Sequence, residues 1–224
     1  MRKLARPPGF IVDKRDNDGT TLLMESARQG TYESLTQCLD EGASLNAVDY
    51  AGRNALMYAI EGKSDGAAAI LLNRGIDAGC RDKLGNTPLI EACKEQIPEV
   101  IQRLIAKNVA LDVQNDKGNT ALIFACANGD GWAACKLADA GADAEQLTNH
   151  EGNSALTIAR KCMRPQDFAT FETCVAAQRE KKRLSAIAAA EEKERQLAQH
   201  VVEATVLQRD VTPLKPVAFR PKAP

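Results

Sequence analysis

The chain has 224 residues, 44% of them hydrophobic but only 4% aromatic, and a net charge of -1. That apolar fraction excludes a wholly disordered chain, and scarce aromatics beside abundant alanine and leucine favour packed helices over a sandwich or barrel of strands. No run approaches the roughly 20 apolar residues that span a bilayer; the seven cysteines are an odd number without a CxxC pair, and the two histidines, His150 and His200, lack a cysteine at zinc-finger spacing, so membrane insertion, a disulfide framework and a metal site are not expected.

Charge is distributed unevenly along the chain. Residues 1–15 carry +4, residues 16–177 carry -9 and residues 178–224 carry +4. An acidic body repels phosphate, so nucleic acid is expected only at the basic termini, if anywhere. The first segment, 1–15, reads as an extension in which Phe10, Ile11 and Val12 cover the start of the body. Because Arg2, Lys3 and Arg6 precede the first acid at Asp13, a short basic organelle presequence is the alternative reading.

A repeat begins at residue 16. Gly19, Gly52, Gly85 and Gly118 are spaced by 33 residues, and Gly152 comes after a further 34. The same register carries Asp16, Asp49, Asp82, Asn115 and Asn149 before the glycines, and Leu23, Leu56, Leu89, Leu122 and Leu156 after them. Ser26, Ala59, Ala92, Ala125 and Ala159 form a column of small residues. The units run 16–48, 49–81, 82–114 and 115–148, with a degenerate fifth unit and cap at 149–177.

Within each unit the residues dictate turn, helix, loop and helix. The glycine permits the positive φ of a tight turn. Thr21, Thr87, Thr120 and Ser154 are N-cap residues, and Pro88 sits at the first helical position, where its missing N–H costs nothing. Second helices read as Leu35, Cys38 and Leu39; Ala68, Leu71 and Leu72; and Ile101, Leu104 and Ile105, each triplet on one face. Gly42, Gly75, Asn108 and Gly141 close the units in the left-handed region. Pro98 is tolerable only in the first turn of its helix. Trp132 opens the second helix of the fourth unit and is expected to pack against its neighbours. Phe168, Phe171 and Val175, at helical spacing, are expected to cover the fifth unit, because the ends of a stack need covering.

Asp82 to Cys93, DKLGNTPLIEAC, resembles the ankyrin signature D-x-x-G-x-T-P-L-H-x-A, and DKGNTALIFAC from Asp116 nearly repeats it. The resemblance covers residues 16–162. It implies an all-α ankyrin-repeat solenoid of stacked helix-turn-helix units with β-turn fingers, here succeeded by a long C-terminal helix and an extended tail. The family's histidine after the leucine is replaced by Met24, Met57, Ile90, Ile123 and Thr157, a departure that bears on stability rather than binding.

Beyond the repeats, residues 178–209 have a charged helical composition. Leu184, Ile187 and Ala188 mark one apolar patch, and Leu197, Val201 and Ala204 another, but AAAEEKER interrupts the heptad between them. A solvated helix is expected, with a coiled coil as the alternative. Residues 210–224, DVTPLKPVAFRPKAP, are proline-rich and basic and read as an extended tail.

The two histidines fall in a turn and in the charged helix, so no nucleophile–base constellation emerges, and no phosphate-binding glycine loop is present. No enzyme, cofactor or small-molecule substrate is expected. The ankyrin resemblance implies instead a protein partner, bound on a concave face by turn tips and the exposed side of the first helices. Projected onto this register, the contact candidates are Asp18, Tyr50, Arg53, Lys83, Asn86, Lys117, Asn119 and Glu151 at the turns. Arg28, Gln29, Glu61, Lys94, Glu95 and Asn128 join them near first-helix ends. The expectation is an intracellular adaptor or scaffold in a reducing, cytoplasmic compartment. The alternatives are a structural subunit of a cytoskeletal or ribonucleoprotein assembly held by the C-terminal helix and basic tails, and an effector aimed at a host protein.

Overall fold

The computed structural model describes residues 13–209, with side chains through His200. The expected cover from Phe10 to Val12, the patch at Val201 and Ala204 and the tail 210–224 lie outside the described residues or side chains. The described chain divides after Gln178 into two units.

The first unit is a stack of helix pairs: α1 (Leu22–Gln29) with α2 (Tyr32–Asp40), α3 (Ala55–Glu61) with α4 (Asp65–Asn73), α5 (Pro88–Glu95) with α6 (Pro98–Ala106) and α7 (Ala121–Ala127) with α8 (Gly131–Ala140). A fifth first helix, α9 (Ala155–Cys162), precedes α10 (Pro165–Arg209), which begins in this unit. First helices pack on first helices and second on second, giving two layers around one core. The ends of the first helices are set by side chains. Thr21, Asn54, Thr87, Thr120 and Ser154 each accept from the backbone N–H three residues on, a cap that contributes about 1 kcal/mol. Asn54, which lies outside the threonine and serine pattern, also donates to the Asp77 carbonyl at 2.8 Å and so ties the second unit's turn to the approach to the third's.

Burial tracks the 33-residue columns. Leu23, Leu56, Leu89 and Leu122 are buried in the first-helix layer. In the second-helix layer Leu35, Ala68, Ile101 and Ala134 form one fully buried column, and Cys38, Leu71, Leu104 and Leu137 another. A single unit has no partner for these faces; each neighbour in the stack supplies one. At the far end Phe171 and Val175 of α10 are buried and Phe168 is half-buried; these first turns stand in the place of a second helix for the fifth unit, beside α8, where Gln178 donates to the Ala142 carbonyl at 3.0 Å. Pro98 stands at the first position of α6.

Two features depart from the sequence-based expectation. Trp132 is 41% exposed instead of packed, because its column also holds Glu33, Gly66 and Glu99 and faces away from the core. The loop between the two helices of a unit carries its own column of positive φ at Gly30, Lys63, Gln96 and Gly129, two of them residues that only the fold holds there.

In the second unit, Arg179 onward, α10 exposes Leu184, Ile187 and Leu197. No helix among the described residues is long and apolar enough to cross a membrane.

Candidate functional site

The turn tips are rigid because one side chain organises each of them. The Oδ1 atom of Asp16, Asp49, Asp82, Asn115 or Asn149 accepts from the backbone N–H groups two and four residues further on, at 2.7–3.1 Å. This local bonding is the reason aspartate and asparagine alternate freely in that column. Successive fingers are then joined backbone to backbone. Tyr50 N–H donates to the Asp18 carbonyl, Lys83 to Ala51, Asp116 to Leu84 and His150 to Lys117, all within 3.0 Å. The fingers therefore form a continuous row.

Between the second and third fingers and the ends of α3 and α5 lies a groove of about 350 Å³. It brings together Arg53, Glu61, Lys83, Lys94 and Glu95, which in the sequence belong to two separate sets, turn tips and helix ends. Arg53 is the organising cation: its guanidinium donates to Asp49 Oδ2 at 3.0 Å, to Glu61 Oε2 at 2.9 Å and to the Tyr58 hydroxyl at 2.8 Å, and stacks over the Tyr58 ring. Burial alone would raise the Asp49 carboxyl, but the Arg53 backbone N–H, the Tyr58 hydroxyl and the Arg53 guanidinium outweigh it and hold the group below its ordinary value. Burial also pushes the Tyr58 hydroxyl up. Arg53 thus commits its donors to the fold, and only its outer edge is available to a partner.

The other cations differ. Lys94 Nζ is held by both oxygens of Glu91 at 2.9 Å, and Lys63 pairs with Glu95 at 3.3 Å. Lys83 is exposed and makes no ion pair among the described residues. Beside it Leu84 is 64% exposed, the most exposed large hydrophobic residue of the stack, with Tyr50 at 60% on the neighbouring finger. Leu84 is absent from the turn candidates that the repeat register selects. Its signal in the sequence is the column Asp18, Ala51, Leu84, Lys117 and Glu151, in which it alone is large and apolar.

The remaining candidates are spread along the same side. Asp18 and Arg28 belong to the first unit, where Arg28 pairs with Glu25 at 2.9 Å and Gln29 donates to the same carboxylate. Lys117 and Glu151 are exposed at the fourth and fifth fingers. Asn119 is half-buried and accepts from Asn149 at 3.1 Å, and the exposed Asn128 donates its amide to the Cys93 carbonyl at 3.1 Å. Asn86 is a correction: it is 3% exposed, because its side chain bridges Asp82 and Asn115 at 3.1 and 2.8 Å, and it serves the row of fingers rather than its surface.

The chemistry of the rest of the stack is quiet. Burial pushes the thiols of Cys80 and Cys135 up to about 12, and those of Cys93 and Cys126 higher still. No group of three or more metal-binding side chains is placed to hold an ion among the described residues.

A family model described as ankyrin repeats matches residues 2–82 and 64–148. Among curated proteins, the chain is 31% identical over 145 residues to an L-asparaginase of Dirofilaria immitis, covering 65% of this chain and 24% of that protein. It is 30% identical over 142 residues to neurogenic locus notch homolog protein 1 and 31% over 137 residues to neurogenic locus notch homolog protein 2, both of Homo sapiens. Those matches cover 63% and 61% of this chain and 6% of each relative. The chain therefore matches only a small part of the proteins it resembles.

Proposed function

The chain belongs to the ankyrin-repeat family, a fold of protein–protein interaction modules, and we propose that it is a non-enzymatic adaptor binding a partner protein on the finger-side face. The observation that carries this reading is the groove between the second and third fingers. Its floor and walls are fixed by hydrogen bonds within the chain, yet Lys83 and Leu84 stand exposed in its lining, with the exposed Tyr50 on the neighbouring finger. Rigid exposed side chains lose little entropy on binding, and tyrosine is enriched among residues that dominate interface energy. The similarity to L-asparaginase spans 24% of that protein and supports no catalytic role here.

The test is affinity capture from native extract with the whole chain, a finger variant (Tyr50→Ala with Lys83→Glu) and a control on the second-helix side (Arg103→Glu with Lys107→Glu), each verified to melt like the parent. The proposal expects the same partner proteins to be lost from the finger variant and kept by the control. Retention by the finger variant, with loss on truncation after Gln178, would replace the adaptor with an assembly subunit anchored by the C-terminal helix.

A further inference from the structure

We infer that the groove between the second and third fingers takes a peptide segment in which a carboxylate side chain lies next to an aliphatic or aromatic one, the carboxylate meeting Lys83 and the apolar group meeting Leu84. The inference rests on the finger-side binding proposed for this chain and narrows it to one partner chemistry.

Charge complementarity decides the acidic half. The groove is lined by four acids and three bases, but the acids are answered from within the chain. Glu61 is paired with Arg53, Glu91 with Lys94 and Glu95 with Lys63. Asp82 accepts from the N–H groups of Leu84 and Asn86 and from the Asn86 amide. Arg53 and Lys94 are consumed in those same contacts. Lys83 is the groove's cation without an ion pair among the described residues, so a visitor at that wall meets an uncommitted ammonium. A basic segment would meet Lys83 directly, whereas a carboxylate would find there a cation with no ion pair of its own.

Geometry decides the apolar half. Leu84 is not exposed by a loose loop: its N–H donates to Asp82 Oδ1 at 2.9 Å and its carbonyl accepts from Asp116 at 3.0 Å, while the preceding Lys83 N–H is fixed on the Ala51 carbonyl at 2.8 Å. Three hydrogen bonds hold two adjacent residues so that an ammonium and an isobutyl group are presented together. Covering Leu84 removes apolar surface from water without ordering the backbone beneath it. Because adjacent Cα atoms are about 3.8 Å apart, a partner matching both groups needs its carboxylate and its apolar side chain within one or two residues of each other.

The experiment is selection of a displayed library of random 12-residue peptides on the full chain, repeated on Lys83→Glu, Leu84→Asp and, as a control on the second-helix side, Lys107→Glu. The parent is expected to enrich peptides with aspartate or glutamate within two residues of leucine, isoleucine or phenylalanine. Lys83→Glu should weaken those peptides by about tenfold or more, since like charges face each other, and should turn the selection toward basic peptides. Leu84→Asp should abolish enrichment, and Lys107→Glu should leave it unchanged. Enrichment of basic or wholly apolar peptides by the parent would overturn the inference, as would indifference to Lys83→Glu. No enrichment at all would overturn peptide recognition by this groove, while capture of folded partners lost from the finger variant would leave the adaptor function standing.

Discussion

The Tyr58 hydroxyl donates its one proton to Asp49 Oδ2 at 2.8 Å, joining the first turn of α3 to the root of the second finger. With that proton committed, the hydroxyl oxygen accepts from Arg53 at 2.8 Å, and its contact with Thr20 at 3.0 Å is donated by the threonine. The Asp49 side chain is 2% exposed and that of Arg53 35%, so a buried carboxylate is held by a partly exposed guanidinium.

Asp49→Asn tests that site without destroying the turn, since Asn115 and Asn149 perform the same turn bonding in later units. The substitution leaves Arg53 facing a neutral amide and is expected to cost about 1–3 kcal/mol at neutral pH. The sign with pH comes from the lowered carboxyl. Its stabilisation is complete above the ordinary aspartate value of 3.8 and is lost as pH falls through the lower folded value. Urea denaturation of parent and variant should therefore differ at pH 7, and the difference should begin to shrink once the pH falls below 3.8.

The loop column makes a second prediction. Gln96 holds φ +56, a region that resists a Cβ, and Gln96→Gly should raise stability by about 0.5–1 kcal/mol. Lys63→Gly should gain less, because it also removes the pair with Glu95. Gly62 is the opposite case, with an ordinary φ of -76 but a position where an added Cβ would collide with the Arg28 carbonyl. Gly62→Ala is expected to lose about 1–3 kcal/mol through that overlap. Thermal melts of the three variants give the order directly.

Thiol chemistry should track burial. Cys162 is exposed, whereas Cys93 and Cys126 are buried and their thiols are held protonated by desolvation. Alkylation at about pH 7.5, just under the ordinary thiol range, with peptide mass spectrometry as the readout, is expected to modify Cys162 first. Cys93 and Cys126 should react only once denaturant opens the stack; early modification of either would contradict the packing of α5 on α7.

Phe171 is fully buried where α10 covers the last unit. Phe171→Ala is expected to cost about 3–5 kcal/mol, felt first at the end of the stack because each unit contacts only its neighbours. Hydrogen exchange should accelerate in α9 and leave α1 to α4 near their parent rates. A chain ending at Met163 should show the same pattern more strongly, and one ending at Gln178 should not.

The repeat is legible in the sequence because each unit obeys the same constraints. A turn glycine, an Asx side chain, a cap and two apolar columns recur at one period, so the all-helical stack and its buried leucines can be read directly. The buried face at the start of the helix that begins at Pro165 is legible for the same reason, as Phe168, Phe171 and Val175 keep helical spacing. Exposure at single positions is a different matter. Asn86 stands in a variable finger position yet is buried, because Asp82 and Asn115 from two fingers converge on it; Trp132 is apolar yet exposed, because its column faces outward.

What the sequence by itself determined was therefore the unit: the local bonding that makes a finger, the caps that start each first helix and the faces that have to be covered. What only the tertiary structure decided was which charges remain available once the units are stacked. Arg53, Glu61, Lys83 and Lys94 look alike as turn and helix-end residues of a repeat. The folded unit turns Arg53 onto Asp49, Tyr58 and Glu61 of its own repeat and Lys94 onto Glu91 of its own helix, while the backbone bonds between stacked fingers leave Lys83, beside Leu84, facing outward.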